Sequence, residues 1–230
     1  MKTILIIGGN SGIGYETAKM LKSEGHRVIA ALRQPEPLQE LGIETQPFDA
    51  SAPAPLDLPD TLDGFVYFPG SINLKPFHRL SDDDFANDYQ VNAQGAVYCL
   101  QQALPALKKA PSASVVLFST VAVQTGMPFH ASIAMAKGAI EGLSRSLAAE
   151  LAPKIRVNTI APSLTDTPLA ASLLNADAKR EASAKRHPLN QVGDPADFAA
   201  LTSMLLADHS KFISGQVLRV DGGMSSLKLF

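Results

Sequence analysis

Glycines 8, 12 and 14 of this 230-residue chain stand in the run Ile7-Gly8-Gly9-Asn10-Ser11-Gly12-Ile13-Gly14. Lacking a Cβ, such residues let a backbone turn tightly and come close to a ligand. The apolar run Thr3-Ile4-Leu5-Ile6-Ile7 precedes them, and a helix-like stretch from Tyr15 to Ser23 follows. A helix N-terminus aims unpaired N–H groups at whatever fills the turn before it, so strand, glycine turn and helix together make a cradle for a pyrophosphate. Asn10, Ser11 and Ile13 belong to that cradle. The spacing is G-x-x-x-G-x-G rather than G-x-G-x-x-G, which points to a narrower group than the general dinucleotide fingerprint.

Elements to position this turn recur along the chain. Apolar runs of strand length lie at Arg27 to Ala31, Ile43 to Phe48, Gly64 to Phe68, Ser114 to Ser119, Ile155 to Ile160 and Gln216 to Val220, bringing the strand count to seven with the first. Helical patterns separate most of them, and such alternation predicts an α/β fold with a parallel sheet. Several strands are apolar at nearly every position, as expected when helices cover both faces. The stretch from about Ser132 to Leu151 places Ala136, Ile140, Leu143, Leu147 and Leu151 at helical steps, an apolar stripe for burial. Two stretches break the pattern. Three prolines between Asp49 and Gly64 predict a loop crossover. Residues 163–191 carry Thr, Asp, Pro, Ala and Lys/Arg without a strand, a length that suits a lid over a pocket, the alternative being a plain surface hairpin.

Size and composition bound the rest. A chain of 230 residues suffices for one well-buried α/β domain, and no Pro/Gly/Ser tract divides it, so residues 1–230 are read as a single dinucleotide-binding domain. Hydrophobic residues make up 46% and charged residues 18%, while a net charge of -2 argues against nucleic acid as a partner. The opening apolar run is too short for a signal-peptide core or membrane span, which predicts a cytoplasmic protein with no membrane partner. Cys99 has no second cysteine to pair with and reads as a helix packing residue. No metal is expected.

Motifs further along the chain carry a resemblance. The glycine turn is followed by Gln90-Val91-Asn92-Ala93-Gln94-Gly95, by Lys137, by Arg156-Val157-Asn158-Thr159-Ile160-Ala161-Pro162 and by Ser214-Gly215-Gln216-Val217-Leu218-Arg219-Val220-Asp221-Gly222-Gly223. In this order, over nearly the whole chain, they resemble the short-chain dehydrogenase/reductase family. The resemblance implies a Rossmann fold, a doubly wound parallel seven-stranded sheet with helices on both faces, and a nicotinamide cofactor. In such a sheet Gly8 to Gly14, Asp49, Pro69, Gly70, Asn92 and Pro162 would converge at a crevice at the strands' carboxyl ends. Relatives carry an acid at the end of the second strand that binds the ribose of NAD, whereas this strand ends Ala30-Ala31-Leu32-Arg33. A guanidinium pairs well with a ribose 2′-phosphate, so NADP(H) is favoured over NAD(H). A solvated surface charge would explain Arg33 but not the missing acid. Asp49 resembles the family's contact to the adenine amine, and Thr165 and Thr167 the segment that hydrogen-bonds the nicotinamide carboxamide. Ser163 stands where relatives carry glycine.

The catalytic set the resemblance implies is incomplete. Relatives place a tyrosine four residues before a lysine on one helix face, and here Lys137 follows Ile133 at that spacing. An isoleucine moves no proton. The serine position falls on Thr120, which keeps a hydroxyl, and its neighbour Ser119 should face the other side of the strand. Asn92 matches the asparagine that holds a helix bend near the lysine, the plainer reading being a solvent-facing amide. Tyr67-Phe68-Pro69-Gly70 stands where relatives show Asn-Asn-Ala-Gly. Tyr67 is read as packed rather than catalytic. His130, before Ile133, is a candidate proton donor, though it also reads as a plain loop residue with Ser132 as the helix N-cap. Two functions follow from this set. One is an NADP(H)-dependent oxidoreductase with an altered site, acting on a small carbonyl or activated C=C substrate; the other is a catalytically silent NADP(H)-binding module, a redox sensor or assembly partner. Relatives associate through the helices at about Asp83 to Leu107 and Ser132 to Leu151, which implies a homodimer or homotetramer.

Overall fold

Successive residues of the first strand point to opposite faces of a sheet, as a pleat of period two requires. Leu5 and Ile7 pack into one core layer, Ile4 and Ile6 into another, and all four are fully buried. The computed structural model describes residues 1–229. In chain order its strands are β1 (Thr3–Ile7), β2 (Arg27–Leu32), β3 (Glu44–Pro47), β4 (Gly64–Tyr67), β5 (Ala113–Phe118), β6 (Ile155–Pro162) and β7 (Val217–Val220). The α-helices are α1 (Gly12–Ser23), α2 (Glu36–Gln39), α3 (Asp82–Tyr89), α4 (Gly95–Lys109), α5 (Ala122–Thr125), α6 (Ala131–Leu151), α7 (Asp177–Ala184) and α8 (Pro195–Leu206).

The strands form one seven-stranded sheet, all parallel, in the order β3-β2-β1-β4-β5-β6-β7. From β1 the chain winds outward to β3, then returns to β4 on the other side of β1. That reversal opens a crevice at the carboxyl ends of β1 and β4, where Gly8 and Phe68 begin their loops. Leu5, Phe65, Val115 and Val157 meet α4 and α6 on one face. Ile6, Val66, Val116 and Ile160 meet α1 and α8 on the other. The chain is therefore a doubly wound Rossmann fold with helices on both faces of the sheet.

Strand positions agree with the apolar runs to within two residues at each end. Helices differ in two places. The helix expected from Asp83 to Leu107 is interrupted at Gln90–Gln94 by a π-helical stretch, in which the Gly95 N–H reaches back to the Gln90 carbonyl. Side chains enter the backbone ladder there, a recognised cause of such steps. Asn92 Nδ2 donates to the Asp88 carbonyl at 2.8 Å, and the Tyr67 hydroxyl to the Val91 carbonyl at 2.6 Å. In α6, the Ala134 N–H bonds the His130 carbonyl, so the helix starts one residue earlier than expected and His130 holds the cap position. Ser132 is consequently not the N-cap: it lies buried inside the first turn, its hydroxyl unpartnered among the described residues. No described helix is long and apolar enough to cross a membrane.

Candidate active site

A cleft of about 830 Å³ runs across the carboxyl ends of the strands. Its floor begins at the glycine turn. Gly8 and Gly12 sit at φ +85° and +55°, backbone that L side chains rarely adopt, and a Cβ on Gly14 would stand 2.6 Å from the Gly9 Cα. The turn is thus folded on itself as closely as backbone permits. Ser11 precedes α1 in extended conformation without spending its side chain on a cap bond, and the first turn of α1 carries no acid. These features suit an anion against the helix end, so the residues present fit the diphosphate of a dinucleotide. A Cβ on Gly12 would stand 3.0 Å from Thr167 Cγ2 and 3.8 Å from Pro168 Cδ, so these two residues lie directly against this turn.

Along the adenosine end, Arg33 and Asp49 line the cleft. The Ser51 hydroxyl and N–H, both bonded to one Asp49 oxygen at 2.7 and 2.9 Å, hold that carboxyl below the usual range, and the Arg33 charge adds to the effect. Asn10, Ser11, Ile13, Pro69, Gly70, Pro162, Thr165 and Thr167 border the same cleft, as the sequence predicts. Thr165 is buried and donates to the Ser163 carbonyl, while Thr167 caps the 3₁₀ turn Pro168–Leu173 by accepting from the Ala170 N–H.

At the opposite end Thr120, His130, Ile133 and Lys137 come together on the cleft wall. Hydrogen bonding decides between the two hydroxyls of β5's end. Both line the cleft, but the Ser119 hydroxyl is spent on Glu141 of α6, to which it donates at 2.8 Å, whereas Thr120 accepts from the Ala122 N–H and keeps its own O–H to give. Ile133 is 6% exposed and presents only hydrocarbon to the wall. The Lys137 ammonium donates to the Phe118 carbonyl at 2.9 Å, and burial pulls it down to about 8. His130 is half-buried, with Nδ1 at 2.8 Å from the Pro128 carbonyl. That contact assigns the proton to Nδ1 and leaves Nε2 as the acceptor.

Asn92 lies within the π-helical bend, near Lys137, fully buried behind Gly70 rather than on the cleft surface or facing solvent. Its Oδ1 has no partner among the described residues and would be 3.2 Å from a Cβ on Gly70, a point 3.6 Å from Lys137 Nζ. Tyr67 is packed: its hydroxyl is spent on Val91, and burial pushes it far above the ordinary phenol range.

Two polar groupings escaped the sequence. Ser71 borders the cleft, donating to the buried Asp88 at 2.6 Å and accepting from Asn92 Nδ2 at 2.8 Å. Ser163 Oγ, also on the cleft, is hydrogen-bonded to Nε2 of the buried His187. Neither pair is close in sequence. Only the serine at position 163, where the resemblance expects glycine, gave a signal.

Comparison with known proteins agrees with this geometry. The family model described as enoyl-(acyl carrier protein) reductase matches residues 7–225. The chain is 30% identical over 241 residues to the 3-oxoacyl-(acyl-carrier-protein) reductase FabG of Thermotoga maritima, covering 97% of each protein. It is 31% identical over 246 residues to a tropinone reductase homolog of Arabidopsis thaliana, covering 97% of this chain and 92% of the relative. A solved short-chain type dehydrogenase/reductase from Mycobacterium ulcerans superposes with a TM-score of 0.88 at 27% identity, covering 97% of this chain and 90% of that one. With a family model matched over nearly the whole chain and relatives at 30% identity or more, the chain belongs to the short-chain dehydrogenase/reductase family of oxidoreductases.

Proposed function

We propose that this chain is an NADP(H)-dependent oxidoreductase that reduces a small carbonyl or activated C=C substrate without a tyrosine acid. One observation carries the reading: a single cleft joins the glycine turn and Arg33 at one end to Thr120, Ile133 and Lys137 at the other. When bound there, a nicotinamide cofactor supplies the hydride. Gly8 to Gly14 hold the diphosphate, Arg33 the ribose 2′-phosphate, Asp49 the adenine, and Pro162, Thr165 and Thr167 the nicotinamide end. Lys137 and Asn92 converge behind Gly70 to fix the ribose side, and Thr120 offers a hydroxyl to the substrate oxygen. Residues 163–191 cover the site as a lid, within a single domain that assembles as a homodimer or homotetramer in the cytoplasm.

The relatives' names, an oxoacyl reductase and a tropinone reductase homolog, support a carbonyl substrate. A positioned general acid contributes about two to four orders of magnitude. Ile133 therefore predicts slow reduction of simple ketones and better turnover of substrates whose product anion is already stabilised. Titration with NADPH and NADH, then a screen of enones, quinones and ketones followed by loss of cofactor absorbance, tests the proposal. Tight NADPH binding with no turnover of any substrate would instead identify a silent binding module.

A further inference from the structure

Resting on the oxidoreductase reading above, we infer that Ser163 and His187 form a hydroxyl–imidazole relay that delivers the proton Ile133 cannot. Both residues border the same cleft as Thr120, Ile133 and Lys137. Ser163 follows β6 directly, and its N–H is fixed to the Val220 carbonyl. Its Oγ accepts from the Leu164 N–H at 2.6 Å and donates to His187 Nε2. That orientation follows from the other ring nitrogen. Nδ1 lies 2.9 Å from the Ser183 carbonyl, which can only accept, so Nδ1 carries the proton and Nε2 is the basic atom.

His187 is 3% exposed and held on three sides. Ser183 of α7 anchors Nδ1, Ser163 meets Nε2, and a Cβ on Gly222 would be 3.1 Å from the His187 Cβ. A plain packing histidine satisfies its nitrogens away from the solvent cavity. This one sends its basic nitrogen to a hydroxyl on the cavity wall, the arrangement in which an imidazole exchanges protons through an oxygen.

A reduced nicotinamide bound in the cleft would supply the hydride for the new C–H bond at the substrate carbonyl carbon, leaving the π electrons on oxygen. A hydronium ion from the cleft first protonates Nε2 of the neutral His187, which reverses the hydrogen bond: Nε2–H donates to Ser163 Oγ, and the Ser163 O–H turns to the substrate oxygen. The Ser163 O–H bond breaks as its proton passes to that oxygen, and the Nε2–H bond breaks as its proton restores the hydroxyl. His187 ends neutral, as in the resting arrangement, and the carbonyl has become an alcohol.

The test uses the full chain with NADPH and the best substrate from the screen. Ser163→Ala is expected to lower kcat by about 100-fold while leaving NADPH affinity by fluorescence titration and the melting temperature unchanged. Ser163→Thr should recover most of the rate, and His187→Gln should match Ser163→Ala. Independently of turnover, the ¹⁵N shift of His187 Nε2 should move in Ser163→Ala. Wild-type kcat in Ser163→Ala overturns the relay. Weakened NADPH binding with kcat intact overturns it too, making Ser163 part of the cofactor wall. If His187→Gln does not fold, the two Ser163 variants decide alone. Absence of wild-type turnover on every substrate removes the oxidoreductase reading itself, and the relay with it.

Discussion

Tyr67 and Gly95 are matched to one another: a Cβ at position 95 would stand 2.3 Å from the Tyr67 hydroxyl, which reaches past it to the Val91 carbonyl at 2.6 Å. A strand residue thereby fastens the π-helical stretch that places Asn92 behind the cleft. Tyr67→Phe is expected to cost about 1 kcal/mol, the usual net worth of one hydrogen bond. Gly95→Ala should cost more in the native background than in Tyr67→Phe, where the obstructing oxygen is gone. Urea melts of the two single variants and the double variant measure this coupling; strictly additive losses would contradict it.

Replacing Ile133 by tyrosine tests the missing acid directly. The position lies one helical turn before Lys137, on the cleft wall. Ile133→Tyr should raise kcat/KM for a simple ketone by about 100-fold, and packing the larger ring into a buried site should cost about 1–3 kcal/mol of stability. Steady-state kinetics with NADPH, paired with a thermal melt, reports both.

Arg33 should govern the choice of cofactor. Loss of a charge-assisted hydrogen bond is worth about 1.5–3 kcal/mol, or roughly 10- to 100-fold in affinity. Arg33→Ala is therefore expected to weaken NADPH by that factor and leave NADH unchanged, as measured by calorimetry. Equal losses for both cofactors would remove the 2′-phosphate contact.

Lys137 gives a pH signature. Its ammonium is pulled down to about 8 by burial, against an ordinary value of 10.5. Between those two values the unfolded chain binds more protons at this site than the native one, so its contribution to stability rises as pH climbs from about 8 to 10.5. Melting temperatures of wild type and Lys137→Met at steps across that window should diverge in favour of wild type. A constant difference would mean the amine is not desolvated.

Much of this was legible in the chain because it rests on local pattern. Thr3 to Ile7 and Gly64 to Tyr67 declare strands by composition, and Gly8, Gly12 and Gly14 declare the turn by spacing. The choice of Thr120 over Ser119 followed from the position the resemblance implies, with strand alternation separating the two hydroxyls. The π-helical form of the bend at Asn92 was not legible, because it leaves no periodic trace and is fastened in part by a tyrosine on another element, 24 residues from Val91. Ser132 was misread as a cap because serine favours that position, yet the cap of α6 is His130, two residues earlier. The link between Ser163 and His187 spans 24 residues of irregular chain and exists only once the fold brings α7 over the end of β6.

The close packing of Thr167 beside Gly12 has a kinetic corollary under the proposed function. A nucleotide filling the turn would stiffen the backbone beside which Thr167 lies, and so would order the segment proposed to cover the cleft. The compound to be reduced then enters second, into a chamber shaped by the first arrival, and product-inhibition patterns should show a compulsory sequence rather than a random one.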